Sequence, residues 1–172
     1  MIEFPDAEGL RPTADRVRET LFNWLGQTLH GKRCLDLFAG SGALGFEAHS
    51  RGAEHVVMVE SQHPVLAALR ENAARLDAAR LDVVYSDARE WLKSDTSKFD
   101  VIFLDPPFKD RMLDLLLGEV AAHLTEQGVV YVESGADFSV AAQAAGWTVV
   151  KAGSAGAVKF GLLKRHGLAE EK

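Results

Sequence analysis

Two segments of the 172-residue chain combine side chains and backbone in a way that suits chemistry. The first is Asp36-Leu-Phe-Ala-Gly-Ser-Gly-Ala-Leu-Gly45, an acid followed by a G-x-G-x-x-G loop on Gly40, Gly42 and Gly45. Glycine permits positive φ and carries no Cβ, so the loop lets backbone approach a ligand closely. The helix it opens turns unpaired N–H groups toward an anionic or polar group. Glu60 ends the next apolar run, where a carboxylate accepts hydrogen bonds from two ribose hydroxyls. The glycines alone leave NAD and S-adenosylmethionine both open. Asp36 begins the choice by sign of charge: a carboxylate attracts the ammonium and sulfonium of S-adenosylmethionine and repels a pyrophosphate. Ser86-Asp87-Ala88 then offers a carboxylate for an adenine amino group and a backbone amide for a ring nitrogen, although Asp87 taken alone reads as a plain helix cap.

The second segment is Asp105-Pro106-Pro107-Phe108, directly after the apolar run Phe99 to Leu104. Two prolines forbid continuation as strand or helix and hold the chain extended. The Asp105 carboxylate and the Pro106 carbonyl, both acceptors, suit an exocyclic NH₂. A nucleobase amine is a poor nucleophile because its lone pair is delocalised into the ring. Accepting its two N–H hydrogens favours pyramidalisation, and Phe108 is placed to stack on the extruded base. No strong base is needed, since the proton becomes acidic as nitrogen is alkylated and leaves to Asp105 or water.

These residues need a sheet to hold them. Apolar runs at Cys34 to Phe38, His55 to Glu60, Leu81 to Tyr85, Phe99 to Leu104 and Val129 to Glu133 alternate with helical patterns. The helices are expected at Ala43 to Ser50, from Pro64 with a buried stripe of Val65, Leu66, Leu69, Ala73 and Leu76, at Ala88 to Lys93, at Arg111 to Leu124 and near Phe138 to Ala145. An earlier helix is capped by Thr13, buries Val17, Leu21, Trp24, Leu25 and Leu29, and ends at Gly31. Trp147 to Val150 and Val158 to Leu163 form an antiparallel hairpin across a flexible Gly153-Ser-Ala-Gly156. The expectation is an α/β Rossmann-like domain: seven mainly parallel strands, helices on both faces, ligands at the carboxyl ends of the strands. One domain spans 1–172, with 1–31 as an amino-terminal segment and helix and 32–165 as the sheet core.

The formal net charge of −6 argues against indiscriminate coating of nucleic acid. Residues 149–165 nevertheless carry Lys151, Lys159, Lys164 and Arg165 and no acid, a local basic stretch. No membrane span or export signal is visible, so a cytoplasmic protein is expected. The single Cys34 excludes an internal disulfide and reads as a buried thiol, and the six histidines lack ligand spacing, so no metal is expected.

The pairing of the Asp36–Gly45 and Asp105–Phe108 motifs resembles class I methyltransferases acting on an amino nitrogen. Leu10-Arg-Pro-Thr-Ala-Asp-Arg-Val-Arg-Glu-Thr-Leu-Phe-Asn23 narrows this: it is similar to the RsmD family, the 16S rRNA guanine-N2 methyltransferases of the small ribosomal subunit, and Tyr131-Val-Glu-Ser134 also matches. The resemblance implies S-adenosylmethionine as cofactor, held by Asp36, Phe38, Ala39, Gly40, Gly42, Glu60, Ser61, Asp87 and Ala88 and closed by Arg11 and Thr13. Asp105, Pro106, Pro107 and Phe108 would grip the guanine. The partner implied is 16S rRNA in the small subunit or its assembly intermediate, bound by a monomer. Family members usually begin with a basic, glycine-containing arm, whereas nine residues precede Leu10 here, so the expectation is either weak RNA binding or reliance on Lys109, Arg111 and the basic 149–165 hairpin with Lys159. Amino-methylation of DNA adenine or a protein amide, an NAD-dependent oxidoreductase, and a non-catalytic nucleotide-binding module stay as alternatives.

Overall fold

The computed structural model describes residues 6–76, 78–106 and 109–165, with side chains described except at 6–14, 78 and 109–112. The elements are α1 (Asp6–Leu25), β1 (Arg33–Asp36), α2 (Ala43–Ser50), β2 (His55–Glu60), α3 (His63–Arg75), β3 (Leu81–Tyr85), α4 (Ala88–Ser94), β4 (Phe99–Leu104), α5 (Lys109–Val120), β5 (Leu124–Ser134), α6 (Ser139–Ala144), β6 (Trp147–Ala155) and β7 (Val158–Arg165). They build one seven-stranded sheet in the order β3-β2-β1-β4-β5-β7-β6. The first five strands are parallel, and β7 runs antiparallel to both β5 and β6.

The strands are apolar on both faces because helices cover both. One face packs Cys34, Met58, Phe103 and Tyr131 against Val17, Leu21 and Phe22 of α1 and Leu69 of α3. The other packs Leu35, Ile102 and Val130 against α4, α5 and α6 through Trp91, Leu116 and Ala142. The sheet reverses its winding between β1 and β4, which leaves a crevice at the carboxyl ends of those two strands.

Several boundaries depart from the sequence expectation. Helix α1 begins at Asp6, so Thr13 lies within it and not at its start. It ends at Leu25 because Gly26, at φ 109°, turns the chain and donates its N–H to the Phe22 carbonyl. Leu29 is buried beyond the helix rather than on it, and Gly31 follows the last helical residue, Leu25, by six positions. Leu76, expected in the stripe of α3, follows the helix and is 43% exposed. Strand β1 stops at Asp36, and α5 gives way to a single 3-10 turn, Ala121–His123, that leads into β5 at Leu124. The segment Gly153 to Ala155 is strand, so the hairpin turns only at Gly156 and Ala157. Among the described residues no helix is long and apolar enough to cross a membrane.

Candidate active site

The crevice between β1 and β4 opens as a cavity of about 400 Å³, lined in part by Asp36, Gly40, Glu60, Ser86, Ala88 and Asp105. That is the size range of cofactor pockets. Strand pleat decides which side chains meet there. Asp36 follows Cys34 by two and pairs in register with Phe103, so Asp105, two residues beyond Phe103, falls on the same face of the neighbouring strand.

Asp36 is buried, and its Oδ2 accepts the Gly45 N–H at 3.1 Å, which anchors the first turn of α2. Burial pushes its pKa up to about 7; the Gly45 hydrogen bond opposes this and the charges of Asp105 and Glu60 add to it. A buried carboxylate held near neutrality beside a cavity gains most from a cation placed there. Glu60 bridges two loops, its Oε1 accepting the Gly40 N–H and its Oε2 the Gln62 N–H, both at 2.8 Å. Each carboxylate oxygen keeps a second acceptor position for a hydroxyl.

The three glycines divide their work. Gly40, at φ +55°, faces open space, with nothing within 4 Å of where a Cβ would stand. Gly42, at φ +85°, is the N-cap of α2 and leaves room for Phe46 and Leu69. Gly45 lies against Met58, whose Sδ would be 2.6 Å from an added Cβ. The open cradle at Gly40 and the electrostatic demand at Asp36 fit the donor expected from the sequence, a nucleoside carrying a cationic centre.

Asp87 caps α4, its Oδ1 accepting the N–H groups of Arg89 and Glu90 at 3.0 and 3.1 Å. Both bonds fall on one oxygen, so Oδ2 is turned to neither. Phe38, Ala39 and Ser61 line the cavity with the acids, whereas Gly42 and Asp87 are not among its lining residues. Leu44, Gln62 and Val65 line it too and were not assigned to the site from sequence, Val65 being read there as a core residue of its helix. Their only signal is position, just past the glycine loop and just past Glu60.

Pro106 is buried after β4. Pro107 and Phe108 lie outside the described residues, as do the side chains of Arg11, Thr13, Lys109 and Arg111. The basic stretch does not form a single face. Lys159 pairs with Ser134 at the carboxyl end of β5, on the side of the cavity. Arg165 instead reaches the carbonyls of Ala121 and Thr125, at the opposite end of the sheet. Lys151 and Lys164 line a second recess near that opposite end, with Lys32 and Trp24. Cys34 is buried, and burial pushes its thiol up to about 12. His123 is also buried, its two ring nitrogens against the carbonyls of Ser97 and Leu92.

Comparison with known proteins gives these features a context. The family described as "Conserved hypothetical protein 95" matches residues 1–164. Ribosomal RNA small subunit methyltransferase D of Escherichia coli K12 is 40% identical over 168 residues, covering 96% of this chain and 85% of that protein. The protein of the same name from Haemophilus influenzae is 38% identical over 163 residues, covering 91% and 84%. A solved structure of yhhF from Escherichia coli superposes with a TM-score of 0.81 at 38% identity, over 90% of this chain and 87% of that one. The sheet order, the glycine loop between two strand-end acids and this extent of identity together place the chain in the RsmD family of S-adenosylmethionine-dependent class I methyltransferases.

Proposed function

We propose that this chain transfers a methyl group from S-adenosylmethionine to the exocyclic N2 of a guanine in 16S rRNA, within the small ribosomal subunit or an assembly intermediate. The observation that carries this reading is the placement of Asp36 and Asp105 on one face at the ends of adjacent strands, around an open glycine cradle. A pyrophosphate at the same loop would meet the Asp36 carboxylate as a like charge, which disfavours the dinucleotide alternative.

S-adenosylmethionine supplies an electrophilic methyl on a sulfonium. The chain's own residues bind and orient. Asp36 answers the donor's positive charge, Glu60 accepts ribose hydroxyls, and Asp87 Oδ2 with the Ala88 N–H addresses the adenine edge. Asp105 and the Pro106 carbonyl accept the two hydrogens of guanine N2 and so hold the amine with its lone pair toward the donor. One N–C bond forms as one S–C bond breaks, a neutral thioether departs, and the N2 proton passes to Asp105 or to water. Arg11 and Thr13 on the donor side and Pro107 and Phe108 on the base side complete the assignment, with Lys109, Arg111 and Lys159 on phosphates.

Incubation with labelled S-adenosylmethionine and, separately, undermethylated small subunits, naked 16S rRNA, DNA and free guanosine tests the reading. Label on N2 of one rRNA guanine is expected, and label confined to DNA or protein would reject it. Asp105→Ala is expected to lower turnover by about 100-fold or more while sparing donor affinity. A variant that turns over at the wild-type rate would remove Asp105 from its role.

A further inference from the structure

The guanine-N2 reading accounts for acceptors at the exocyclic amine but leaves unexplained how guanine is told from other bases. N2 adjoins N1, and in guanine N1 carries a hydrogen, so one further acceptor beside Asp105 would read guanine directly. The sheet supplies one. Strands β4 and β5 are parallel and in register at Phe103 with Tyr131 and Leu104 with Val132, so the next step of the ladder sets Glu133 beside Asp105. Neighbouring strands lie about 4.8 Å apart, and residues in register share a face. Asp105 and Glu133 therefore continue the face that carries Phe103 and Tyr131.

Glu133 is half-buried, and its Oε2 accepts the Tyr131 hydroxyl at 2.7 Å. Tyr131 is itself fully buried, packed between Phe103 and Phe160. Burial, the Glu133 charge and the Glu133 hydrogen bond all raise its pKa, so the hydroxyl stays a donor throughout the physiological range. A rigid buried ring thus fixes a carboxylate at the strand end, level with the residue assigned to the amine. A carboxylate has about four acceptor positions, so its chemistry allows a ligand N–H to be accepted besides the Tyr131 hydroxyl.

We infer that Glu133, positioned by Tyr131, accepts the N1–H of the target guanine and is the specificity-determining residue of the acceptor site. This rests on the guanine-N2 reading. Guanine then meets three acceptors in a row: Glu133 at N1–H, and Asp105 and the Pro106 carbonyl at the N2 amine. Adenine carries no hydrogen on N1 and would set a lone pair against the carboxylate. A site built to pair an N–H rejects a base lacking it far more strongly than shape alone would.

The test uses 2-aminopurine, which keeps the 2-amino group and has an unprotonated N1. Small subunits reconstituted on 16S rRNA carry guanine or 2-aminopurine at the nucleotide the wild-type protein labels. Wild type is expected to prefer guanine by about 100-fold or more in kcat/KM. Glu133→Gln presents an amide that can donate to the bare N1, so its guanine activity is expected to fall by at least about tenfold. Its 2-aminopurine activity is expected to rise, so the preference collapses to within a few-fold. Tyr131→Phe, with the carboxylate retained but unfixed, is expected to lower the guanine preference partially at unchanged donor affinity. Equal use of both bases by wild type overturns the inference without any variant. A Glu133→Gln protein that folds, binds donor and keeps the wild-type preference overturns it as well, while the guanine-N2 reading survives. Absence of label on rRNA guanine in wild type removes that reading and the inference with it.

Discussion

At the scale of single residues, Asp36 shows how a site can be built against the interest of the fold. It lies at the end of β1 with 2% of its surface exposed, and its pKa stands at about 7 against an ordinary 3.8. A group whose folded pKa is raised contributes its full stability below the unfolded pKa and loses it as pH climbs through the folded one. Between about pH 4 and 7 the unfolded chain is ionised here while the folded chain holds the proton, so each added pH unit erodes stability. Asp36→Asn removes the erosion and keeps an oxygen for the Gly45 N–H. Urea unfolding is therefore expected to show the variant gaining on wild type from pH 5 to pH 8, by about 2–4 kcal/mol at most. The same substitution is expected to weaken S-adenosylmethionine binding at pH 8, because the cation loses its carboxylate. A pH-independent difference in stability would mean that Asp36 does not titrate in this window.

At the scale of elements, the glycine loop, β1 and α2 act as one unit, and the three glycines predict separable effects. An alanine at Gly45 would push its Cβ against Met58 Sδ and Cγ at 2.6 and 2.8 Å and against Asp36 Oδ2 at 3.3 Å. Met58 is fully buried, so it cannot swing away freely. Gly45→Ala is expected to cost about 1–3 kcal/mol by thermal or chemical unfolding. Gly40→Ala meets no neighbour and carries only the strain of positive φ, about 1 kcal/mol, yet its methyl points into the open cradle. Calorimetry should find donor affinity more impaired than stability in Gly40→Ala, and the reverse order would reassign the cradle. The same unit explains what was legible in the sequence. Acids at the ends of apolar runs pointed to Asp36, Glu60 and Asp105, because buried strands permit few reasons for a carboxylate, and all three line one cavity. The ends of α1 were less legible. Leu29 is buried through tertiary packing and imitated a further helical turn, while the left-handed turn at Gly26 stops the helix earlier. Gly153 and Gly161 read as flexibility or went unnoticed, yet both are packing residues: a Cβ on Gly153 would meet the Phe160 ring at 2.9 Å, and one on Gly161 the Lys151 carbonyl at 2.6 Å. The Tyr131–Glu133 pair was visible only as part of a family motif, because its meaning depends on which strand lies beside β5.

At the scale of the whole molecule, an acidic chain must bind a polyanion, so the positions of its few clustered cations matter more than their sum. The basic residues 149–165 lie along two antiparallel strands, and that geometry carries their charges to opposite ends of the sheet. Lys159 comes out beside Ser134, at the end where β1, β4 and β5 present their acids. Lys164 pairs with Thr148, five residues further along β7, about 17 Å away at strand rise. On the proposed reading, an RNA strand that delivers a base to Asp105 would pass Lys159 and would have no need to reach Lys164. Removing one cation from a phosphate lowers the slope of log affinity against log salt by about 0.7–0.9. Lys159→Gln is accordingly expected to reduce that slope for 16S rRNA by close to this amount and to raise KM for the RNA. Lys164→Gln, removing the same formal charge, is expected to leave both nearly unchanged. Equal effects from the two would mean that the RNA wraps the sheet from one end to the other, and the recess holding Lys32, Lys151 and Lys164 would then belong to the substrate path.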